Sequence, residues 1–417
     1  MNFNWRNGNE IRLLENGEQF FPRVLGAIRE ARREILIETF ILFEDKVGKE
    51  LHRELIAAAR RGVHVEITVD GYGSADLSAE FVAALTEVGI RIHMFDPRPK
   101  FMGMRTNLFR RLHRKIVVID GVRAFVGGIN FSADHLGDFG PEAKQDYAVE
   151  VVGPVTRDIH LFALSTVAPE QPPRHWWRHH VKVSGNHWQE SAGPGQARVL
   201  FVVRDNGNHP RDIEECYLEA IREARRRLTI ANGYFFPGYR LLRELRDAAR
   251  RGVRVELILQ GQPDMPIAKF GARILYNYLV KSGVTIHEYC HRPLHSKVAV
   301  ADDDWSTVGS SNLDPLSLAL NLEANLIVLD RQFNHELSEN LENLKRHYCK
   351  AMTPEKIARG LWWRLPLAFL SFHFLRHFPA WVGWLPAHSA RLELLTPERM
   401  PPAAADSTPI DLQRPSQ

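Results

Sequence analysis

Apolar and polar positions alternate in short runs along most of the chain, and the runs come round twice. Residues 34–43 read EILIETFILF and residues 227–236 read RLTIANGYFF. Both are rich in β-branched and aromatic side chains, which predicts strands. Each run follows the same five residues, REARR, at 29–33 and at 222–226. Each leads into a helical pattern that closes on ARRGV, at 59–63 and 249–253. Strand patterns return at HVEITVD (64–70) and RVELILQ (254–260), then at IRIHMFD (90–96) and VTIHEY (284–289). The last matched pair of strands, 113–119 and 295–301, opens on His-x-Lys. Strands alternating with helices of about ten to fifteen residues predict α/β layers. The expected fold class is therefore α/β, with two pseudo-symmetric α/β/α repeats built on mixed β-sheets and an active site at their interface.

The repeat sets the domain organisation. A first repeat occupies residues 1–167 and a second occupies 198–354, joined by a linker at 168–197 that holds Pro172, Pro173, Gly185, Gly193, Pro194 and Gly195. Within the linker stands HWWRHH at 175–180, for which neither a metal-binding nor a membrane role is favoured. The first repeat carries an insertion, KFMGMRTNLFRRL at 100–112, with no counterpart in the second. The most apolar stretch, 361–386, contains Arg364, His373, Arg376 and His377, with Pro366 and Pro379 inside it. A spanning helix needs about 20 uncharged, mostly apolar residues. This stretch fails that test, and its Trp, Phe and Arg mixture suits a membrane interface instead. We therefore expect an aromatic and basic interface segment at 355–397, then a disordered tail at 398–417. The N-terminus has no apolar run, so neither a signal peptide nor an N-terminal anchor is expected.

Composition narrows the chemistry. Of 417 residues, 44% are hydrophobic and 25% charged, which is ordinary for a globular chain. Lys plus Arg is 54 against 50 for Asp plus Glu, giving a formal net charge of +4. That balance is too mild to argue for nucleic acid. Basic residues cluster nonetheless: Arg105, Arg110, Arg111 and Arg114 crowd the approach to His113, as a solvated face or as contacts for anionic lipid headgroups. Three scattered cysteines, Cys216, Cys290 and Cys349, suggest neither disulfides nor zinc, and so a reducing compartment.

The chemistry-bearing residues also occur twice: His113, Lys115, Asp120, Gly127, Gly128 and Asn130, then His295, Lys297, Asp302, Gly309, Ser310 and Asn312. The His, Lys, Asp and Asn of the two sets share one separation, 182 residues. Five matched residues arise by chance roughly once in 10⁶ start points, so two identical spacings are not an accident. On a strand, His and Lys two residues apart share a face. Two such sets around one centre supply two imidazoles, two ammoniums and two amides. That is enough for phosphodiester chemistry without a metal or cofactor. One imidazole attacks phosphorus, the other protonates the leaving oxygen, and Lys115, Asn130, Lys297 and Asn312 hold the non-bridging oxygens. A metal site is not expected, because protonated lysine is no ligand. His93 and His287 are expected to be core or surface residues.

Both sets resemble the signature of the phospholipase D superfamily, HxKxxxxDxxxxxxG(G/S)xN. The candidate catalytic set is His113, Lys115, Asp120, His295, Lys297 and Asp302. The resemblance implies that Asp120 and Asp302 are structural braces, that His113 is the nucleophile and that His295 is the acid and base. It further implies that Asp146 (in KQDYAVEV) and Glu323 (in NLEANLIV) orient the histidines. Within the superfamily, nearly the whole chain is similar to the bacterial cardiolipin synthase B type, through DPRPKFMGMRTNLFRRLHRKIVVID, GPEAKQDYAV, NGYFFPGYR and RPLHSKVAVADDDWSTVGSSNLDPLSLALNLEAN. This implies transfer of a phosphatidyl group from one phosphatidylglycerol to another through a phosphohistidine, giving cardiolipin and glycerol. The expected partners are phosphatidylglycerol and other anionic phospholipids, with peripheral contact on the cytoplasmic side of a bacterial inner membrane and no nucleic acid. Other readings are a hydrolase or transphosphatidylase with another acceptor alcohol, a nuclease of the same superfamily, and non-catalytic lipid binding. Near charge balance argues against the nuclease, and two intact motifs argue against simple binding.

Overall fold

The computed structural model describes residues 4–97, 110–167, 193–261, 275–352 and 391–399. The insertion core at 98–109, the HWWRHH stretch, the block 361–386 and the tail beyond 399 lie outside the described residues.

The N-terminal lobe contains β1 (Arg6–Glu15), α1 (Asn16–Glu30), β2 (Glu34–Thr39), α2 (Lys46–Arg60), β3 (His64–Asp70), α3 (Ala79–Glu87), β4 (Arg91–Phe95), β5 (Ile116–Ile119), β6 (Arg123–Gly127), β7 (Tyr147–Val152) and α4 (Pro154–Val167). The C-terminal lobe repeats the plan. It has β8 (Ala197–Arg204), α5 (Asp212–Glu223), β9 (Arg227–Asn232), α6 (Tyr239–Arg250), β10 (Arg254–Gln260), β11 (Thr285–Tyr289), β12 (Lys297–Ala301), β13 (Trp305–Gly309), α7 (Pro315–Ala319), β14 (Glu323–Leu329), α8 (Arg331–Tyr348) and β15 (Cys349–Ala351).

Local sequence explains these elements. In α2, Leu51, Leu55 and Ala58 are buried along one helical face, and Asp45 caps the helix by accepting the backbone N–H groups of Val47 and Gly48. In α6, Leu241, Leu242, Leu245 and Ala248 form the matching stripe. Both ARRGV turns end on a left-handed glycine, Gly62 at φ 90° and Gly252 at φ 92°, a conformation any Cβ would strain.

Among the described residues the strands join into one mixed sheet. From the centre outward the first lobe runs β1-β7-β6-β5-β2-β3-β4, and the second runs β8-β14-β13-β12-β9-β10-β11-β15. β2, β3 and β4 are parallel, as are β9, β10 and β11, while the remaining pairs are antiparallel. The lobes meet where β1 pairs antiparallel with β8. An apolar cluster spans the junction, combining Val155, Ile159 and Ala163 of α4 with Phe333, Leu337, Leu341 and Leu344 of α8. A second-lobe helix thus covers sheet shared with the first.

One feature was not expected. Residues Leu392–Leu394 form a last strand, β16, paired antiparallel with β4 of the N-terminal lobe. Leu395 beside it is buried in that lobe's core. The stretch expected to lie at a membrane interface therefore ends by edging the first sheet. The physical reason is an exposed edge strand that needs partners for its backbone.

Candidate active site

The expectation that each His-x-Lys pair stands within a strand needs correction. β5 begins at Ile116, after His113 and Lys115, and β12 begins at Lys297, after His295. The histidine segments leave their own sheets to bond across the lobe junction. The Leu112 segment bridges in parallel to Leu322, and Leu294 bridges to Gln145. The His113 backbone N–H donates to the Leu322 carbonyl at 2.9 Å, and the His295 N–H donates to the Gln145 carbonyl at 2.9 Å.

This exchange decides which carboxylate meets which imidazole. His113 Nδ1 lies 3.0 Å from Glu323 of the other lobe, and His295 Nδ1 lies 2.6 Å from Asp146 of the other lobe. Both carboxylates are completely buried. Each acid therefore pairs with the histidine of the other lobe's motif, not with the one preceding it in the chain. Each pairing leaves Nε2 of the imidazole as the atom that can reach a substrate. Neither lobe alone supplies both an imidazole and the carboxylate that binds it.

The remaining groups gather around the two imidazoles. Lys115 and Lys297 are buried, and each ammonium donates to the carbonyl of its own histidine, His113 at 2.7 Å for Lys115. The Asn130 Oδ1 accepts the Ile41 N–H at 3.2 Å, which leaves its amide N–H groups for a ligand. Asn312 is buried, and its Oδ1 has no hydrogen-bond partner among the described residues. Phe40 walls one side, its ring 5.0 Å from that of His113 and 5.3 Å from the Lys115 ammonium.

Burial governs the electrostatics. Desolvation lowers His113 to about 4, with Glu323 raising it and Lys115 opposing that rise. His295 is held well below the ordinary histidine value by burial first, then by Lys297 and Lys144. Burial also drops Lys115 to about 7 and Lys297 to about 8, despite the acids nearby. Glu323 ends below its ordinary range, because His113 and Lys115 outweigh burial, whereas burial leaves Asp146 raised. The free site thus holds neutral imidazoles and weakly held ammonium protons. An anion entering this cluster would offset its burial and favour the charged forms of these groups.

Asp120 and Asp302 do not join this group. The Asp120 carboxylate accepts the backbone N–H groups of Arg32, Arg33 and Glu34, and Asp302 accepts those of Arg225, Arg226 and Arg227. They brace the two REARR turns at the far ends of β5 and β12. Arg114 is also corrected: it is buried in a 2.7 Å ion pair with Glu38 and lies over Phe162, so it faces neither solvent nor lipid. Arg111 stacks on Tyr72 at 3.9 Å. His93 is buried against Glu66, and His287 bonds Glu256 at 3.4 Å.

Three further residues escaped the sequence reading. Asp70 accepts the Leu112 N–H at 2.7 Å, and Gln260 accepts the Leu294 N–H at 2.7 Å. They end the equivalent strands β3 and β10, so aligning the repeats offers the signal that finds them. His135, fully buried, stands edge-on to His295 with ring centroids 5.8 Å apart. Its repeat counterpart is Ser317, so no symmetry signal marks it.

His135, Asp146 and His295 bring ligand-type atoms within 4.8 Å of one another. These donors are committed elsewhere, His295 to Asp146 and His135 to the Asn130 N–H. Lys144 and Lys297 add positive charge alongside. That chemistry suits a hydrogen-bonded group better than a cation site.

Comparison with known proteins agrees with this architecture. The fold is that of phospholipase D-like enzymes: a phosphatidylserine synthase from Haemophilus influenzae superposes with TM-score 0.66 at 16% identity, over 88% of this chain and 96% of that one. A family model described as cardiolipin synthase, PLD-like domain, matches residues 24–155 and 217–345, one match in each lobe. Cardiolipin synthase B of Escherichia coli K12 is 57% identical over 96% of both chains, and cardiolipin synthase B of Salmonella typhimurium LT2 is equally similar. Cardiolipin synthase A of Pseudomonas fluorescens is 34% identical over 80% of this chain and 68% of its own. The chain belongs to the cardiolipin synthase family of the phospholipase D superfamily.

Proposed function

We propose that this protein is a cardiolipin synthase that joins two phosphatidylglycerol molecules and releases glycerol. The observation carrying the reading is the crossed pairing of His113 with Glu323 and His295 with Asp146, which builds one acid–nucleophile centre from both lobes. Similarity to cardiolipin synthase B over 96% of the chain supports the choice of substrate.

In this mechanism Glu323 holds the His113 proton on Nδ1, so Nε2 attacks phosphorus. Lys115, Lys297, Asn130 and Asn312 hold the non-bridging oxygens. The phosphorus–oxygen bond to the headgroup glycerol breaks, and protonated His295 gives that oxygen its proton. His295, now neutral, takes the proton from the headgroup hydroxyl of a second phosphatidylglycerol. That oxygen displaces His113 from phosphorus, forming cardiolipin and restoring both imidazoles. His295 takes its starting proton from solvent as the substrate binds, because the phosphodiester's negative charge offsets the burial that otherwise keeps the ring neutral.

The reading divides the chain into catalytic lobes at 1–167 and 198–354. It gives membrane contact, peripheral and on the cytoplasmic side, to Phe101, Met102, Met104, Leu108 and Phe109 with the basic residues around them, and to the apolar block 361–386. The lipid substrates supply the reason: their phosphodiester lies at the headgroup level, so the site must reach the interface. Among the described residues no helix is long and apolar enough to cross a membrane. Purified protein incubated with phosphatidylglycerol vesicles should yield cardiolipin and glycerol. Phosphatidic acid as the main lipid product would instead make it a hydrolase.

A further inference from the structure

The mechanism above leaves His135 without a part, yet this residue stands inside the site. It closes a 3-10 turn, Ala133–His135, five residues beyond Asn130, and it is completely buried. Its Nε2 accepts the backbone N–H of Asn130 at 3.2 Å, so that nitrogen carries no proton. Burial, with Lys144 and Lys297 opposing the help of Asp134 and Asp146, lowers the ring to about 4, and it is neutral. The single ring proton therefore sits on Nδ1. That nitrogen has no hydrogen-bond partner among the described residues. A buried, unpaired donor is costly, and such groups are rare enough in native proteins to need a reason.

The reason lies in how the two imidazole–carboxylate pairs differ. Glu323 Oε2 accepts from His113 and also from the Ser310 hydroxyl at 2.6 Å. The equivalent of Ser310 in the first lobe is Gly128. A Cβ there would come within 2.4 Å of the Asp146 carboxylate, so no hydroxyl can be offered from that position. Among the described residues, Asp146 accepts only from the Tyr147 N–H on Oδ1 and from His295 on Oδ2. His135 lies on this side, with a ring nitrogen within 4.8 Å of the Asp146 carboxylate and of His295. Its counterpart Ser317 in the second lobe bonds Asp314 instead.

We propose that His135 is a positioning residue for His295, its Nδ1–H serving Asp146 through one bridging water, as the donor that Ser310 provides to Glu323. The inference rests on reading His295 as the acid and base. His135 then acts on proton transfer to the leaving group and from the incoming hydroxyl, and it leaves the His113–Glu323 pair untouched. The charged groups facing His295 and His135 together are Asp146, Asp134, Lys144, Lys115 and Lys297.

Two variants separate this role from a structural one. His135→Gln keeps an acceptor near the Nε2 position for the Asn130 N–H and removes the Nδ1 donor. His135→Asn keeps an amide donor near the Nδ1 position and removes the acceptor. Ring-nitrogen NMR on the full chain, labelled in histidine, reads the His113 and His295 titrations separately and needs no substrate. In His135→Gln the His295 titration should move while that of His113 stays put. kcat for phosphatidylglycerol should fall by about tenfold or more, and His135→Asn should recover part of the loss. A lipid with a p-nitrophenol leaving group, which needs no general acid, should show a smaller loss. An unmoved His295 titration, or equal shifts of both histidines, would overturn the proposal. So would normal turnover in His135→Gln with only His135→Asn impaired. A protein that makes no cardiolipin but shows the His295 shift would count against the proposed substrate, not against this role.

Discussion

Replacing Glu323 by Gln tests the crossed pairing at its most consequential contact. Glu323 is fully buried and receives the His113 Nδ1–H at 3.0 Å and the Ser310 hydroxyl at 2.6 Å. In the proposed mechanism His113 becomes cationic as it bonds to phosphorus, and the carboxylate is the anion that balances it. Taking about 4 Å between charge centres and an effective dielectric constant of about 20, that attraction is about 4 kcal/mol. At about 1.4 kcal/mol per tenfold change, its loss slows the chemical step about 10³-fold. A second effect acts in the same direction. The glutamine amide can donate to Nδ1, which moves the ring proton onto Nε2 and blocks the attacking atom. The assay is kcat for cardiolipin formation from phosphatidylglycerol vesicles, with the melting temperature as a control on folding. Glu323→Gln should keep its fold and lose about three orders of magnitude in kcat, whereas vesicle binding should be unchanged. A folded variant that loses less than about tenfold would refute the claim that a second-lobe carboxylate activates the first-lobe histidine.

If lysine and asparagine carry the charge stabilisation as proposed, turnover should survive EDTA unchanged; loss restored by a divalent ion contradicts this. The pH profile of kcat/KM should be bell-shaped, with its base limb between about 7 and 8, where Lys115 and Lys297 lose their protons, and its acid limb towards 4, where His113 gains one. Lys115→Met should abolish activity and raise stability. Its folded pKa of about 7 lies below the ordinary 10.5, so the lysine opposes folding fully below pH 7 and not at all above 10.5. The gain in a denaturant melt at pH 6 should be on the order of a few kcal/mol and should shrink as pH rises; no gain would place the ammonium in a more favourable setting than its burial implies. Asp120→Asn should lower the melting temperature and spare kcat in the protein that remains folded, since its carboxylate holds only backbone N–H groups. Replacing Phe101, Leu108 and Phe109 with Ser should weaken vesicle binding more than turnover of a short-chain soluble substrate; equal losses would make those residues structural. Truncation after 354 is a poorer test, because it also strips β16 from β4.

Much of this was legible in the sequence because the chain carries its own comparison. The repeated REARR, ARRGV and His-x-Lys landmarks located β2 to β5 and β9 to β12 but missed the other strands, and HVEITVD and RVELILQ coincide with β3 and β10. The acids Asp146 and Glu323 were also visible as positions. Their partners were not, because the exchange depends on Leu112 bridging to Leu322 and Gln145 to Leu294, contacts made only when two lobes pack. Arg114 read as part of a basic cluster since nothing local revealed that Glu38, on the neighbouring β2, would bury and neutralise it. The edge strand β16 was hidden for a similar reason: a strand of three residues carries little periodicity, and its partner β4 is nearly three hundred residues earlier. His135 had no echo in the second repeat, so the symmetry that exposed the other groups concealed it.

The central claim is that a single site made by both lobes transfers a phosphatidyl group through His113. The most direct measurement mixes the protein with phosphatidylglycerol labelled at phosphorus and quenches within one turnover in base, where phosphohistidine persists. The labelled peptide is then mapped by mass spectrometry. The account predicts one adduct per chain, on His113, absent from Glu323→Gln and discharged to cardiolipin when more phosphatidylglycerol is added. An adduct on His295, or cardiolipin formed with no histidine adduct in a burst, would contradict it.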